Sequence, residues 1–290
     1  MWALKTAMRL PKSVQVEWED GLMASFNYVW LRDNSTRRPC LVHLDLNTKP
    51  EKVDCSRNEL NVTWPPFLTS NYSSDFLREN MMHCQMYQTP SGSGNPPSLP
   101  EALDRPSPLR GQLCTIVNAT PVDSQQVMGS VYWNASAQEA GTIWPHMHSV
   151  PTMVTVDNLH GKTSELFIVD TVKALATLAM RHPQEFEFLA QCTLEYSEGM
   201  FRSRHKMCHI HNGRIFPGIF NNAARSSTIT VEPGSVERLY ECLQKFGRAS
   251  AEWTYTVQLE PGQRLLVDNT RAMLGAPAQR NRQLMLSCLQ

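Results

Sequence analysis

The sequence predicts an α+β protein whose larger part is built on a β-sandwich or jelly-roll core, and three observations predict it. Short β-branched runs recur along the chain, helices of amphipathic spacing are inserted among them, and the order is not the regular alternation of a parallel sheet. About 41% of the 290 residues are apolar, so a substantial core can be buried, and length alone suggests two domains. Lys and Arg number 27 and Asp and Glu 27, a zero net charge that argues against a broad nucleic-acid footprint. No apolar run approaches the roughly 18 residues of a bilayer span, so no membrane partner is expected.

Residues 14–18, 24–31, 41–46 and 60–64 are short β-rich runs, separated by turn signals at Asp20-Gly21 and Asn47-Thr48. They define a small β domain over residues 14–85. Residues 89–108, TPSGSGNPPSLPEALDRPSP, hold six of the 19 prolines and cannot form a strand or helix interior. A linker is therefore drawn at 86–109, with the second domain at 110–290. Within that domain 151–157 and 165–169 are strand-like, and Asp170 or Thr171 can cap a helix carrying Val172, Leu175 and Leu178. Pro183 opens another helix through Gln191. The segment 235–246 puts Val236, Leu239, Leu243 and Phe246 on one face and meets a stop signal at Gly247. Residues 253–259 alternate, which predicts one buried face, and 264–268 and 283–289 close the chain as β-type runs.

Eight cysteines lie far apart with no CxxC pair, which points to reduced thiols in an intracellular protein. Lys5, Arg9 and Lys12 precede the first acid at Glu17, the composition of a mitochondrial presequence; an ordinary basic N-terminus in a cytoplasmic protein is the alternative. The chain has no Walker loop, GxGxxG, GxSxG or HExxH.

Particular strings carry more. Val29-Trp30-Leu31-Arg32-Asp33-Asn34 resembles the WLRDN segment of γ-butyrobetaine dioxygenase and trimethyllysine dioxygenase, the Fe(II)/2-oxoglutarate oxygenases of carnitine biosynthesis in the TauD/TfdA-like class. Asn61-Val62-Thr63-Trp64-Pro65, His182-Pro183-Gln184-Glu185-Phe186, Ser203-Arg204-His205-Lys206, Phe220-Asn221-Asn222-Ala223-Ala224-Arg225 and Val267-Asp268-Asn269-Thr270-Arg271 follow in that family's order. The resemblance covers roughly residues 14–80 and 110–290. It implies a double-stranded β-helix, the jelly-roll of these oxygenases, preceded by a small β-rich N-terminal domain, with Fe(II) and 2-oxoglutarate as the family's cofactors.

The family holds iron with an H-x-D pair and a distal His, two imidazoles and a carboxylate on one face of the metal. Residues i and i+2 of a strand point to one side, which is why the spacing matters. Where the family strand reads H-T-D-x-P, this sequence reads Gly141-Thr142-Ile143-Trp144-Pro145, and Leu274 stands where the distal His is expected. The resemblance thus implies a catalytically degenerate paralogue, a pseudoenzyme with no confident catalytic residue and no confident cofactor, acting by binding. The alternative is an active dioxygenase with displaced ligands, His146 and His148 on the metal and Asp157 or His160 completing the site.

The resemblance also implies roles for other residues. Arg282, with Arg280 as alternative, matches the Arg that forks onto the distal carboxylate of 2-oxoglutarate. Asn222 and Arg225 match a segment bordering the substrate pocket, and Tyr132, Trp133 and Trp144 could be remnants of an aromatic cage for a quaternary-ammonium or amino-acid-like ligand. The family's structural zinc cysteines are reduced to Cys40, with His43 beside it and Asn71 near the later histidine position, so the small domain is expected to fold without zinc. A homodimer is implied by resemblance alone.

Overall fold

A computed structural model of the chain describes residues 2–36, 38–81, 109–119, 127–133, 137–280 and 283–289. The chain divides into two compact units: Met1–Ser93 with Ser227–Lys245, and Gly94–Ser226 with Phe246–Gln290. The proposed linker at 86–109 lies, but for its last residue, outside the described residues.

The first unit holds two three-stranded antiparallel sheets: β1 (Leu4–Arg9), β2 (Ser13–Trp18) and β3 (Met23–Asn27), then β4 (Lys52–Cys55), β5 (Glu59–Trp64) and β6 (Leu68–Ser73). The basic segment with presequence-like composition forms β1, paired with β2. Strand alternation sends Val14, Val16 and Trp18 inward from β2 and Leu60, Val62 and Trp64 inward from β5, all fully buried. The two indoles keep polar partners, Trp18 Nε1 donating to Ser74 Oγ at 2.9 Å and Trp64 Nε1 to Ser70 Oγ at 3.1 Å. Gly21 closes the β2–β3 turn at φ +85°, a conformation favouring glycine.

The expected strand at 24–31 ends at Asn27, and α1 (Tyr28–Asp33) follows. Tyr28, Val29, Trp30 and Leu31 are all buried in succession, which a half-exposed strand cannot achieve and a short helix in the core can. Trp30 stacks on Phe26 at 5.4 Å and on Phe76 of α2 (Ser74–Asn80) at 5.7 Å. The expected strand at 41–46 is instead a 3₁₀ turn, Leu41–His43. Its backbone carbonyls bind a side chain and not a neighbouring strand. Gln244 Nε2 donates to the carbonyls of Leu41, Val42 and Leu44, at 3.3, 3.2 and 2.9 Å. Before the turn, Arg38 forks onto Asp33, whose Oδ2 also accepts from Tyr240 at 2.7 Å.

Gln244 and Tyr240 belong to α5 (Val236–Glu252), which buries Val236, Leu239, Leu243 and Phe246 as its spacing predicts. The helix does not stop at Gly247. Ala249 extends the buried face, and packing outweighs the roughly 1 kcal/mol preference against an interior glycine.

The second unit is dominated by two antiparallel sheets. One has the order β7 (Cys114–Asn118), β17 (Gln263–Asp268), β10 (Met153–His160), β19 (Gln283–Leu289), β8 (Val127–Trp133). The other runs β16 (Thr254–Leu259), β11 (Ser164–Asp170), β18 (Ala272–Ala276), β9 (Gln138–Gly141). The chain crosses repeatedly between them, β8 to β9 to β10 to β11 and then β16 to β17 to β18 to β19. Both sheets contribute to a single buried cluster, including Val154, Val156, Leu265, Val267, Leu284 and Leu286 from one and Leu166, Ile168 and Leu274 from the other. Between β11 and β16 come α3 (Thr171–Arg181), α4 (Pro183–Gln191) and two hairpins, β12 (Thr193–Glu198) with β13 (Phe201–Lys206) and β14 (Cys208–His211) with β15 (Arg214–Pro217). Asp170 caps α3, its Oδ1 accepting from Lys173 N at 3.0 Å.

Strand β16 departs from the expected buried face. It is the edge of its sheet, Leu259 is its one buried residue, and Tyr255 is exposed. Alternation survives there only as the inward lean of Val257 and Leu259.

Candidate functional site

The three positions that the resemblance assigns to iron come together. Gly141 at the end of β9 pairs directly with Leu274 of β18, and Ile143 and Leu274 lie in the same buried cluster. A facial triad needs this convergence of positions, and it needs donor atoms at them. Gly141 has no side chain, and Ile143 and Leu274 present only hydrocarbon.

The local structure is tied down around these residues. Asn269 is buried; its Oδ1 accepts from Ile143 N at 2.8 Å, while Nδ2 donates to the carbonyls of Ile143 and Pro151, at 3.1 and 2.8 Å. One side chain thus fixes both backbone groups of the residue at the family's carboxylate position. On the other flank Thr142 N donates to Phe220 O at 2.7 Å, Phe220 N returns a bond to Thr142 Oγ1, and Asn221 Nδ2 donates to Thr142 O at 3.0 Å. This draws the 220–221 segment onto Gly141 so closely that a Cβ there would lie 2.6 Å from Asn221 Cγ and 2.9 Å from Asn221 Cα. Only glycine fits at that approach. Gly275 meets Ala140 in the same way, with a would-be Cβ 2.8 Å from the Ala140 Cα.

The displaced-ligand residues differ in burial and partners, and the side chain of His160 lies outside the described ones. Asp157 is buried and gripped by Arg264 in a two-point fork, Nε to Oδ1 at 2.5 Å and Nη2 to Oδ2 at 2.8 Å. His146 is buried with Nδ1 2.9 Å from Glu198 Oε2, outside hydrogen-bonding geometry, and its ring lies near Phe201. His148 is exposed. The H-x-D spacing occurs once in the sequence, as His43-Leu44-Asp45, in the first unit. His43 and Asp45 are both exposed, and Asp45 caps the following turn through Asn47 N at 2.9 Å. Among the described residues no group of three or more His, Cys, Asp or Glu is placed to hold a metal ion.

The proposed pocket residues divide. Asn222 and Arg225 are brought together and buried, Arg225 Nη2 donating to Asn222 Oδ1 at 3.3 Å and Asn222 Nδ2 to Glu139 Oε2 at 2.9 Å. Tyr132 and Trp133 are not brought together. As neighbours on β8 they face opposite ways: Tyr132 is 72% exposed, and Trp133 is in the core with its Nε1 bonded to Gln138. Trp144 is half-buried at φ +52°. Arg282 lies outside the described residues, and Arg280 is exposed.

A polar cluster next to the degenerate strand was not foreseen. Ser203 Oγ donates to Pro145 O at 2.6 Å, and His205 Nε2 contacts Ser203 Oγ at 2.9 Å and Met147 O at 3.3 Å. Strand β13 thereby holds the 145–148 loop. Burial, the largest influence, keeps the His205 imidazole below its ordinary value of 6.5, and His148 and His209 push the same way. Burial also lowers His209. A histidine lowered in the fold takes up its proton more readily when unfolded, so this contribution is complete above pH 6.5 and is lost as pH falls through the folded value. Unfolding free energy measured by denaturant titration is therefore expected to fall with acidification below pH 6.5, and the slope is expected to flatten in His205→Asn.

The family model described as taurine catabolism dioxygenase TauD, TfdA family matches residues 139–289, just over half of the chain. The chain belongs to the TauD/TfdA family. The match runs from β9 to β19 and takes in strands of both sheets, leaving β7 and β8 outside it. Solved structures with a partial likeness include a taurine dioxygenase from Burkholderia xenovorans, at 16% identity and TM-score 0.44, covering 55% of this chain and 62% of that one. Another is an asparagine oxygenase in complex with Fe(II), 2S,3S-3-hydroxyasparagine and succinate, at 14% identity and TM-score 0.43, covering 62% of this chain and 57% of that one. The chain thus spans about three fifths of the length of either.

For a TauD/TfdA-family chain, Fe(II) and 2-oxoglutarate are the expected metal and co-substrate. At the three converging positions, iron does not fit the residues present. The converging positions offer no donor atom, and at Gly141 there is no room for one. No catalytic step through iron can be derived from these side chains.

Proposed function

We propose that this TauD/TfdA-family chain is a degenerate relative of the γ-butyrobetaine and trimethyllysine dioxygenases that has kept the double-stranded β-helix and acts by binding. The observation that carries the reading is the convergence of Gly141, Ile143 and Leu274, apolar side chains or none, locked in place by Asn269 and Asn221. The jelly-roll assignment is supported by the repeated crossing of the chain between two antiparallel sheets that share one core. The small domain at 14–85 and the jelly-roll domain at 110–290 form the remaining parts of this reading. A quaternary-ammonium or amino-acid-like ligand bordered by Asn222 and Arg225 is the occupant that the lineage suggests. Calorimetric titration of the purified chain with Mn(II), with and without 2-oxoglutarate, tests it. No saturable heat is expected at micromolar metal. Stoichiometric uptake that disappears in His148→Ala would replace this reading with an active oxygenase using displaced ligands.

A further inference from the structure

Hairpin β12–β13 ends in an exposed apolar turn. Met200 is 95% and Phe201 68% exposed, two large apolar side chains side by side at the apex. Gly199 turns the chain at φ +58°, and a Cβ there would meet nothing within 4 Å, so the apex projects into open space. Behind it, Arg202, Arg204 and Lys206 are exposed at alternate positions and so lie on one face of β13. The register sets them opposite Ser197, Glu195 and Thr193 of β12. Among the described residues Glu195 is the single carboxylate on that face of the hairpin; it is buried, binds Arg204 at 2.8 Å and accepts from Ser226 Oγ at 3.0 Å. Arg202 reaches it only at 3.7 Å and keeps 65% of its side chain exposed. Glu198, on the opposite face, lies 2.9 Å from His146 Nδ1 and keeps 71% of its side chain exposed. The face therefore carries three cations against one buried anion.

We propose that this hairpin docks the protein on an anionic lipid surface. Met200 and Phe201 enter the headgroup boundary, and Arg202 and Lys206 pair with lipid phosphates or carboxylates. Apolar area at the tip and basic charge behind it are the two contributions that bind peripheral proteins to acidic bilayers. A convex apolar apex buries itself in an interface of lipid better than against a peptide, which needs a groove or a free strand edge lined by pockets. The expectation of no membrane partner rested on spanning segments. No described helix is long and apolar enough to cross a membrane, and a docking tip does not require one.

Co-sedimentation of the full chain with phosphatidylcholine vesicles, with and without phosphatidylserine, tests the proposal. Binding to the phosphatidylserine vesicles alone is expected, weakening as salt is raised. Met200→Ser with Phe201→Ser, and separately Arg202→Ser with Lys206→Ser, are each expected to weaken it; loss of a basic residue near an acidic surface costs about fivefold. All four side chains are exposed, and unchanged circular dichroism will show that the variants fold. Absence of vesicle binding, equal binding to neutral vesicles, or unchanged binding by both variants would overturn the proposal. So would binding to polyglutamate in place of vesicles.

Discussion

Replacing Gly141 with histidine, the residue that the resemblance expects there, will destabilise the protein by about 3 kcal/mol, the upper range for overpacking a filled core. The added Cβ would stand 2.6 Å from the Asn221 side chain and 2.9 Å from its Cα, so rotation of one side chain cannot relieve the contact. The 220–221 segment is also tied to Thr142 by three hydrogen bonds that any backbone shift would stretch. Asn221→Gly in the same chain is expected to recover only part of the loss, because the backbone contact remains. Chemical denaturation of the single and double variants measures both values. A Gly141→His protein as stable as the parent would mean that the strand retains room for a metal ligand.

Arg264→Met will cost about 3–5 kcal/mol, the penalty for leaving a buried ion without its partner. Asp157 and Arg264 sit on adjacent strands of the five-stranded sheet in direct register, with side chains 4% and 10% exposed. Removing the guanidinium strands a carboxylate where water does not reach it. Asp157→Leu combined with Arg264→Met is expected to be markedly more stable than Arg264→Met alone, since two apolar groups leave no unpaired charge. The pair also occupies Asp157 fully, which is why that residue is unsuited to completing a metal site.

Much of the fold was legible because its strands are short and patterned. Val14, Val16 and Trp18, or Leu60, Val62 and Trp64, repeat at every second residue, and burial follows that period. Asp170 and Pro183 begin their helices for local reasons, a side-chain cap and a preset φ. Errors arose where packing from distant chain segments decided. Tyr28–Asp33 is helical because four consecutive side chains must all reach the core, and Leu41–His43 is set by Gln244, some two hundred residues away. β16 alternates in sequence yet lies at a sheet edge, a fact that depends on topology.

The site was half legible. The strings around Gly141, Asn221 and Asn269 were visible as separate motifs. Their mutual bonds were not: Asn269 reaches Ile143 across 126 residues, and Asn221 reaches Thr142 across 79. Such long-range closure is what fills and locks the core around Gly141, Ile143 and Leu274.

The most direct test is turnover. The purified chain supplied with Fe(II), ascorbate, O₂ and 2-oxoglutarate is assayed for succinate with γ-butyrobetaine and with trimethyllysine. The account predicts succinate no higher than in a protein-free control for either compound. Substrate-dependent succinate formed in step with a hydroxylated product would contradict it.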